Sequence, residues 1–213
     1  MRVLLCRHGE TPWNAEGRYQ GQMDIPLSEA GERQAAALGA RLKDLPLARA
    51  VASPLSRARR TAELALGHRA GMLTLEPGLM EIAHGAWEGK LDSELAAEDG
   101  PRLKAWRQAP DTVQMPGGES LQQVQDRAWP AFVSACAGLG PDDIALVVAH
   151  DAVNRVILAR LLGLPLARIW TFRQAPATLN LLEGPEPGRL EVVRLNDAAH
   201  VAGLFGEARH LAL

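Results

Sequence analysis

Cysteine is scarce in this chain of 213 residues, long apolar runs are missing, and no cluster of lysine and arginine stands out. Each shortage removes a class of protein. Two cysteines, Cys6 and Cys136, cannot build a disulfide framework and have no metal-ligand spacing, so both are expected to be reduced core residues of a cytoplasmic protein. The apolar start of the chain is broken at Arg2 and again at Arg7, too soon for a signal peptide. No later stretch approaches the roughly 18 uninterrupted apolar residues of a membrane span. The formal net charge of −2, without a basic run, argues against a nucleic-acid partner. Single arginines must therefore be read by their local context. What remains is an ordinary globular balance, 47% hydrophobic and 23% charged, in a length that fits one domain with a modest insertion.

Residues 3–6 read as a buried strand ending at Arg7, and residues 8–27 as loop, punctuated by Gly9, Pro12, Gly17, Gly21 and Pro26. A helix follows, capped by Ser28, with Glu29 and Glu32 in its first turn and Ala35, Leu38, Leu42 and Leu45 along one stripe. Residues 50–52 form a second strand. Ser53-Pro54 then predicts a helix start, a capping serine followed by proline at the first helical position.

Residues 81–118 change character, with short helical pieces among glycines, prolines, Trp87 and Trp106; they read as a lid inserted into the main fold. Ser120 and Gln123 make a capping box for a helix that Pro130 should bend or split. Residues 144–149, IALVVA, form the clearest buried strand and end at His150. Asp151 is placed to cap the helix 152–162, which Gly163 and Pro165 stop. Residues 179–183 and 190–195 flank GPEPG as a hairpin. Strands alternating with helices predict an α/β fold of three layers, a mostly parallel sheet flanked by helices. Ligands of such sheets bind beyond the carboxyl ends of strands, where His8 and His150 both lie.

Arg7-His8-Gly9-Glu10-Thr11 suits phosphoryl transfer on physical grounds. A histidine that attacks phosphorus must be neutral while its target is anionic. An adjacent arginine disfavours imidazolium and grips phosphate oxygens in a fork. Gly9 removes a side chain that would keep phosphate from the backbone. The plain alternative is an exposed Arg-His pair at a strand end. Arg57 falls near the first turn of its helix, where backbone N–H groups already favour anions, whereas Arg59 and Arg60 fit a solvated basic face. His150 follows the second buried strand, and Glu81 opens the lid segment.

Taken together, these elements resemble the histidine phosphatase superfamily, also called the phosphoglycerate mutase-like family. The resemblance rests on LLCRHGET at 4–11, WNAEGRYQGQMDIPLSEAG at 13–31, ASPLSRARRTAE at 52–63, EIAHGAWEG at 81–89, GGES at 117–120 and VVAHD at 147–151. It implies that His8 is the phosphorylated nucleophile, that Arg7, Arg57 and His150 hold the phosphoryl group, and that Glu81 donates a proton to the leaving alcohol and then activates water. Asn14 and Gln20 would line the rim of the phosphate pocket, and neither metal nor cofactor is implied. Where the family usually has glycine after the second histidine, this chain has Asp151. Its carboxylate is expected to turn back and cap its own helix, leaving only the backbone N–H toward the site.

Three activities occur in such a family. Phosphatase is favoured by the compact chain and by IAHGAWEG; a cofactor-dependent mutase is the alternative, and a non-catalytic phosphate-binding module is disfavoured by the full set of residues. The substrate is expected to be a small phosphomonoester such as phosphoserine, α-ribazole phosphate or a phosphoglycerate. His84, Trp87 and Glu119 are the candidate lid contacts, with His84 suited to a substrate carboxylate and Trp87 equally suited to lid core. A homodimer across the terminal hairpin is compatible with the sequence and not required by it.

Overall fold

A computed structural model describes residues 1–201. The chain runs β1 (Arg2–Arg7), α1 (Pro12–Glu16), α2 (Glu29–Leu42), β2 (Leu47–Ala52), α3 (Ser56–Leu66), β3 (Leu73–Leu75), α4 (Asp92–Glu98), α5 (Gly100–Gln108), α6 (Leu121–Cys136), β4 (Ile144–Ala149), α7 (Asp151–Leu161), β5 (Leu179–Glu183) and β6 (Glu191–Asp197). The sheet order is β3-β2-β4-β1-β5-β6. The first four strands of that order are parallel, and the terminal hairpin adds β5 and β6 antiparallel.

Strand alternation sorts the helices into two outer layers. Val3, Leu5, Val147 and Ala149 point toward α6 and α7, meeting Val124, Ala128, Phe132, Val153 and Ile157. Leu4, Cys6, Leu146 and Val148 point toward α2 and α3, meeting Leu38, Leu42, Ala58 and Ala62. This is the three-layer α/β arrangement, and the residues between β3 and α6 add helices and 3-10 turns but no strand. Cys6 and Cys136 are unpaired and buried, and burial pushes both thiols up to about 12. No helix among the described residues is long and apolar enough to cross a membrane.

The register of the two central strands positions everything that follows. Arg7 pairs with Ala149, so β1 and β4 end side by side, and the His8 N–H donates to the Ala149 carbonyl at 3.0 Å. His8 and His150 therefore leave the sheet as neighbours.

Several local expectations change. Residues 8–27 are not all loop: Thr11 caps α1 by accepting from Asn14 N, while the Asn14 side chain accepts from Thr11 N, with Pro12 at the first position. Ser53 does not cap α3, which begins at Ser56 with Leu55 in the cap position. Pro130 does not split α6, which runs unbroken from Leu121 to Cys136. The proline faces solvent, where water can take up the carbonyl that loses its partner. His150, not Asp151, is the N-cap residue of α7. β6 forms an edge of the sheet with Val193 and Leu195 exposed, and nothing in this single chain supports a second copy pairing there.

Gly9 has a reason other than the one expected. A Cβ there would lie 2.5 Å from the Gly31 carbonyl, and a Cβ on Gly31 would lie 2.0 Å from the Glu10 carbonyl. The loop after His8 and the start of α2 touch backbone to backbone, so both positions must lack a side chain. Gly9 N also donates to Thr61 Oγ1 at 3.0 Å, tying the loop to α3.

Candidate active site

His8, Arg7, Arg57, Glu81 and His150 come together above the ends of β1 and β4, and each is at least nine-tenths buried. The His8 and His150 rings lie 5.1 Å apart, centre to centre, at 58°. His8 Nδ1 is 2.6 Å from the carbonyl of Gly9. A carbonyl can only accept, so Nδ1 carries the proton and the lone pair of the neutral ring sits on Nε2. That is the tautomer a nucleophile at Nε2 requires.

The arginines are held by backbone. Arg57 donates through its two terminal nitrogens to the carbonyls of Met23 and Gly21 at 2.8 and 2.7 Å, while its Nε is buried without a hydrogen-bond partner. Burial lowers Arg57 to about 10, so it remains a cation at neutral pH. Arg7 donates to the Gln174 carbonyl and to Asp151 Oδ2, the latter at 2.9 Å, and its buried Nε also lacks a partner. A guanidinium placed this way is fixed in direction before any anion arrives.

His150 is neutral in this setting. Burial takes it well below the usual histidine range, and Arg57, His8 and Arg7 push in the same direction. Its Nε2 is 2.8 Å from Ser53 Oγ, an oxygen that accepts from Leu55 N at 3.3 Å, and its buried Nδ1 has no hydrogen-bond partner. Ser53 thus orients an imidazole instead of capping a helix.

Glu81 closes the group. Its Oε1 accepts from Ile82 N at 2.9 Å, and Oε2 accepts from Asp151 N at 3.1 Å and Ala152 N at 3.4 Å, at the open start of α7. Burial raises its pKa, the Asp151 carboxylate adds to that, and the Ile82 N–H, Arg57 and Arg7 oppose it. The balance is upward, the direction that suits a proton donor.

Asp151 departs from its expected role. Its N–H does face Glu81, but its carboxylate bridges Arg7 and Arg155, with Oδ1 at 2.5 Å from Arg155 Nε. Arg155 in turn donates to the carbonyls of Ile169 and Phe172. The buried triad satisfies a carboxylate that would otherwise repel phosphate.

Asn14 and Gln20 hold the loop beyond His8. Asn14 belongs to the α1 cap, and Gln20 Oε1 accepts from Thr11 Oγ1 at 2.9 Å. The lid residues behave differently from expectation. Trp87 is 1% exposed and its indole N–H donates to Asp99 Oδ2 at 3.0 Å, so it is lid core and not a substrate contact. His84 is packed edge-on against Tyr19 and Trp106, and burial lowers it to about 3. Its Nδ1 is buried without a hydrogen-bond partner, so the neutral ring offers a hydrogen bond and not a charge. Glu119 forks with Arg127 instead of facing the cleft, and Arg127 is the residue the sequence reading missed. Its signal was present but faint: an arginine inside a helix, eight residues after GGE.

The fold agrees with what the chain resembles. A family model described as the histidine phosphatase superfamily (branch 1) matches residues 3–198. A probable phosphoglycerate mutase GpmB of Erwinia tasmaniensis is 38% identical over 165 residues, covering 78% of this chain and 76% of that protein. Phosphoserine phosphatase 1 of Hydrogenobacter thermophilus is 32% identical over 209 residues, 98% of either chain. Among solved structures, Bacillus stearothermophilus YhfR superposes with a TM-score of 0.87 at 33% identity, over 94% of this chain and 98% of that one. The α-ribazole phosphatase from Shigella flexneri gives 0.83 at 30%, over 93% and 97%. By its matched length and its relatives, the chain belongs to the histidine phosphatase superfamily, branch 1.

Proposed function

We propose that this protein hydrolyses small phosphomonoesters through a phosphohistidine formed on His8. One observation carries the reading: the side-by-side ends of β1 and β4 bring two histidines together with two buried, backbone-held arginines and a buried carboxylate. Phosphoryl transfer depends on positioning and on neutralising the equatorial oxygens, which Arg7, Arg57 and the neutral His150 supply as donors.

In the first half-reaction His8 Nε2 attacks phosphorus, the ester P–O bond breaks, and Glu81 gives its proton to the departing alkoxide. In the second, the Glu81 carboxylate takes a proton from water, the water oxygen attacks phosphorus, and the His8–P bond breaks to release inorganic phosphate. Asn14 and Gln20 keep the loop after His8 in shape at the pocket rim. The unpaired, buried cysteines suit a reducing compartment such as the cytoplasm.

Relatives named for phosphoserine and α-ribazole phosphate set the range of substrates to try. The likeness to GpmB, named a probable phosphoglycerate mutase, supports a second reading in which the phosphoryl group returns to a phosphoglycerate. A phosphate-release screen over phosphometabolites, with phosphoserine, α-ribazole phosphate and 3-phosphoglycerate included, separates the two. Steady release of phosphate from one or more monoesters is the expected result. Conversion of 3- to 2-phosphoglycerate with a bisphosphoglycerate primer, without net phosphate release, would overturn it.

A further inference from the structure

The segment that carries Glu81 has no regular structure of its own. It lies between two short 3-10 turns, Pro77–Leu79 and Gly85–Trp87, and joins no strand of the sheet. A carboxyl that must meet a leaving oxygen within a few tenths of an ångström needs its backbone held from outside. Gln22 Nε2 donates to the Glu81 carbonyl at 3.0 Å, and most of the remaining holding comes from one side chain on α6. Arg127 donates to three carbonyls in succession around Glu81: Gly78 at 2.9 Å, Met80 at 2.6 Å and Glu81 itself at 2.9 Å.

The other edge of the guanidinium forks onto Glu119, Nε to Oε1 at 2.7 Å and the second terminal nitrogen to Oε2 at 2.8 Å. Glu119 then carries the hold past Glu81. Its Oε2 accepts from Ala83 N at 2.9 Å, and its own N–H donates to the Ala83 carbonyl at 2.9 Å. Gly118 allows this approach, since a Cβ there would lie 2.2 Å from the Ala83 carbonyl. Residues 78–83 are thus fastened on both sides of Glu81 by one ion pair. Only arginine presents enough donors in a rigid fork to reach a carboxylate and three carbonyls together.

We propose that Arg127 and Glu119 are a positioning pair whose task is to aim the Glu81 carboxyl at the leaving-group oxygen. The inference rests on the reading of Glu81 as the proton donor. Arg127 touches neither phosphate nor leaving group in this account; it acts through the backbone of the acid. In the first half-reaction the pair should matter when the leaving group needs a proton and matter little when it does not.

The test compares Arg127→Lys, Glu119→Gln and Glu81→Gln, each alone, together with Arg127→Lys combined with Glu81→Gln. Two aryl esters are used: p-nitrophenyl phosphate, whose phenolate leaves without help, and phenyl phosphate, whose phenolate is far more basic. Arg127→Lys should lower kcat/KM on phenyl phosphate about 10- to 100-fold, the scale of a misplaced catalytic group. On p-nitrophenyl phosphate the loss of kcat/KM should stay within about threefold, because transfer of its phosphoryl group to His8 needs no proton from Glu81. Glu119→Gln should show the same selectivity with a smaller loss, and it carries the test if the lysine variant does not fold. In the Glu81→Gln background, Arg127→Lys should cost nothing more on phenyl phosphate. Equal losses of kcat/KM on both esters, or losses that add to those of Glu81→Gln, would overturn the pair's role. If Glu81→Gln itself loses equally on both esters, it is the assignment of the acid that fails, a result distinguishable from failure of the pair alone.

Discussion

The two ends of the site are built by different rules. At the end proposed to hold phosphate, His8 and His150 leave adjacent parallel strands, Arg57 sits in the first turn of α3, and Arg57 and Arg7 are fixed by carbonyls of neighbouring segments. At the end proposed to meet the leaving group, aromatic rings pack on one another, and the Arg127–Glu119 fork, with Gln22, holds an irregular segment. The first end is positioned by regular elements that most of the chain's core stabilises. The second is positioned by a handful of long-range side-chain contacts. Chemistry common to all substrates is expected at the first end, and selection among substrates at the second.

The largest effect should come from the phosphate end. Arg57→Ala removes a buried cation of the candidate site and leaves the Met23 and Gly21 carbonyls without their donor. A fall in kcat/KM of about 10²- to 10³-fold is expected for every monoester tried, with no dependence on the leaving group. Steady-state kinetics on an aryl and an alkyl ester would check it, and a loss confined to one of them would break the contrast drawn between the two ends.

A smaller effect reports on the lid. His84 is neutral in the fold, lowered by burial to about 3 from an ordinary value of 6.5. A histidine whose folded-state pKa is depressed contributes stability that is present above the unfolded value and is lost as pH falls toward the folded one. Between about pH 6 and 4, His84 should therefore cost the fold about 1.4 kcal/mol per pH unit, and the buried His150 should act in the same sense. Denaturant titrations across that range should show a steep acid-side loss, and His84→Gln should remove about one histidine's share of the slope. An unchanged slope would mean that His84 is solvated and available to a substrate after all.

The contrast between the ends also explains what the sequence made legible. Five of the six strands, the α2 stripe and the Ser120 capping box were readable because they follow local periodicity and cap chemistry, whereas the three-residue edge strand β3 and the pairing of β1 with β4 were not. Two identical-looking signals show the limit. Thr11-Pro12 and Ser53-Pro54 both present a capping hydroxyl before a proline, yet only Thr11 caps a helix. Ser53 is drawn away by a histidine 97 positions later, which no local reading can see. Asp151 was likewise read as a cap from its neighbours, while Arg7 and Arg155 claim its carboxylate. In the lid, His84, Trp87 and Glu119 looked like contacts because polar and aromatic residues in an irregular segment suggest binding. Their partners, Trp106, Asp99 and Arg127, are set by tertiary packing.

The central claim is that His8 carries the phosphoryl group. Rapid quench of the enzyme with ³²P-labelled substrate, followed by acid and base treatment of the labelled protein, tests it most directly. The account predicts a label that is lost in acid and stable in base, as a phosphorus–nitrogen bond requires, and that is absent from His8→Ala, with turnover down by at least about 10⁴-fold. Label retained in His8→Ala, or turnover close to that of the unaltered protein, would contradict it.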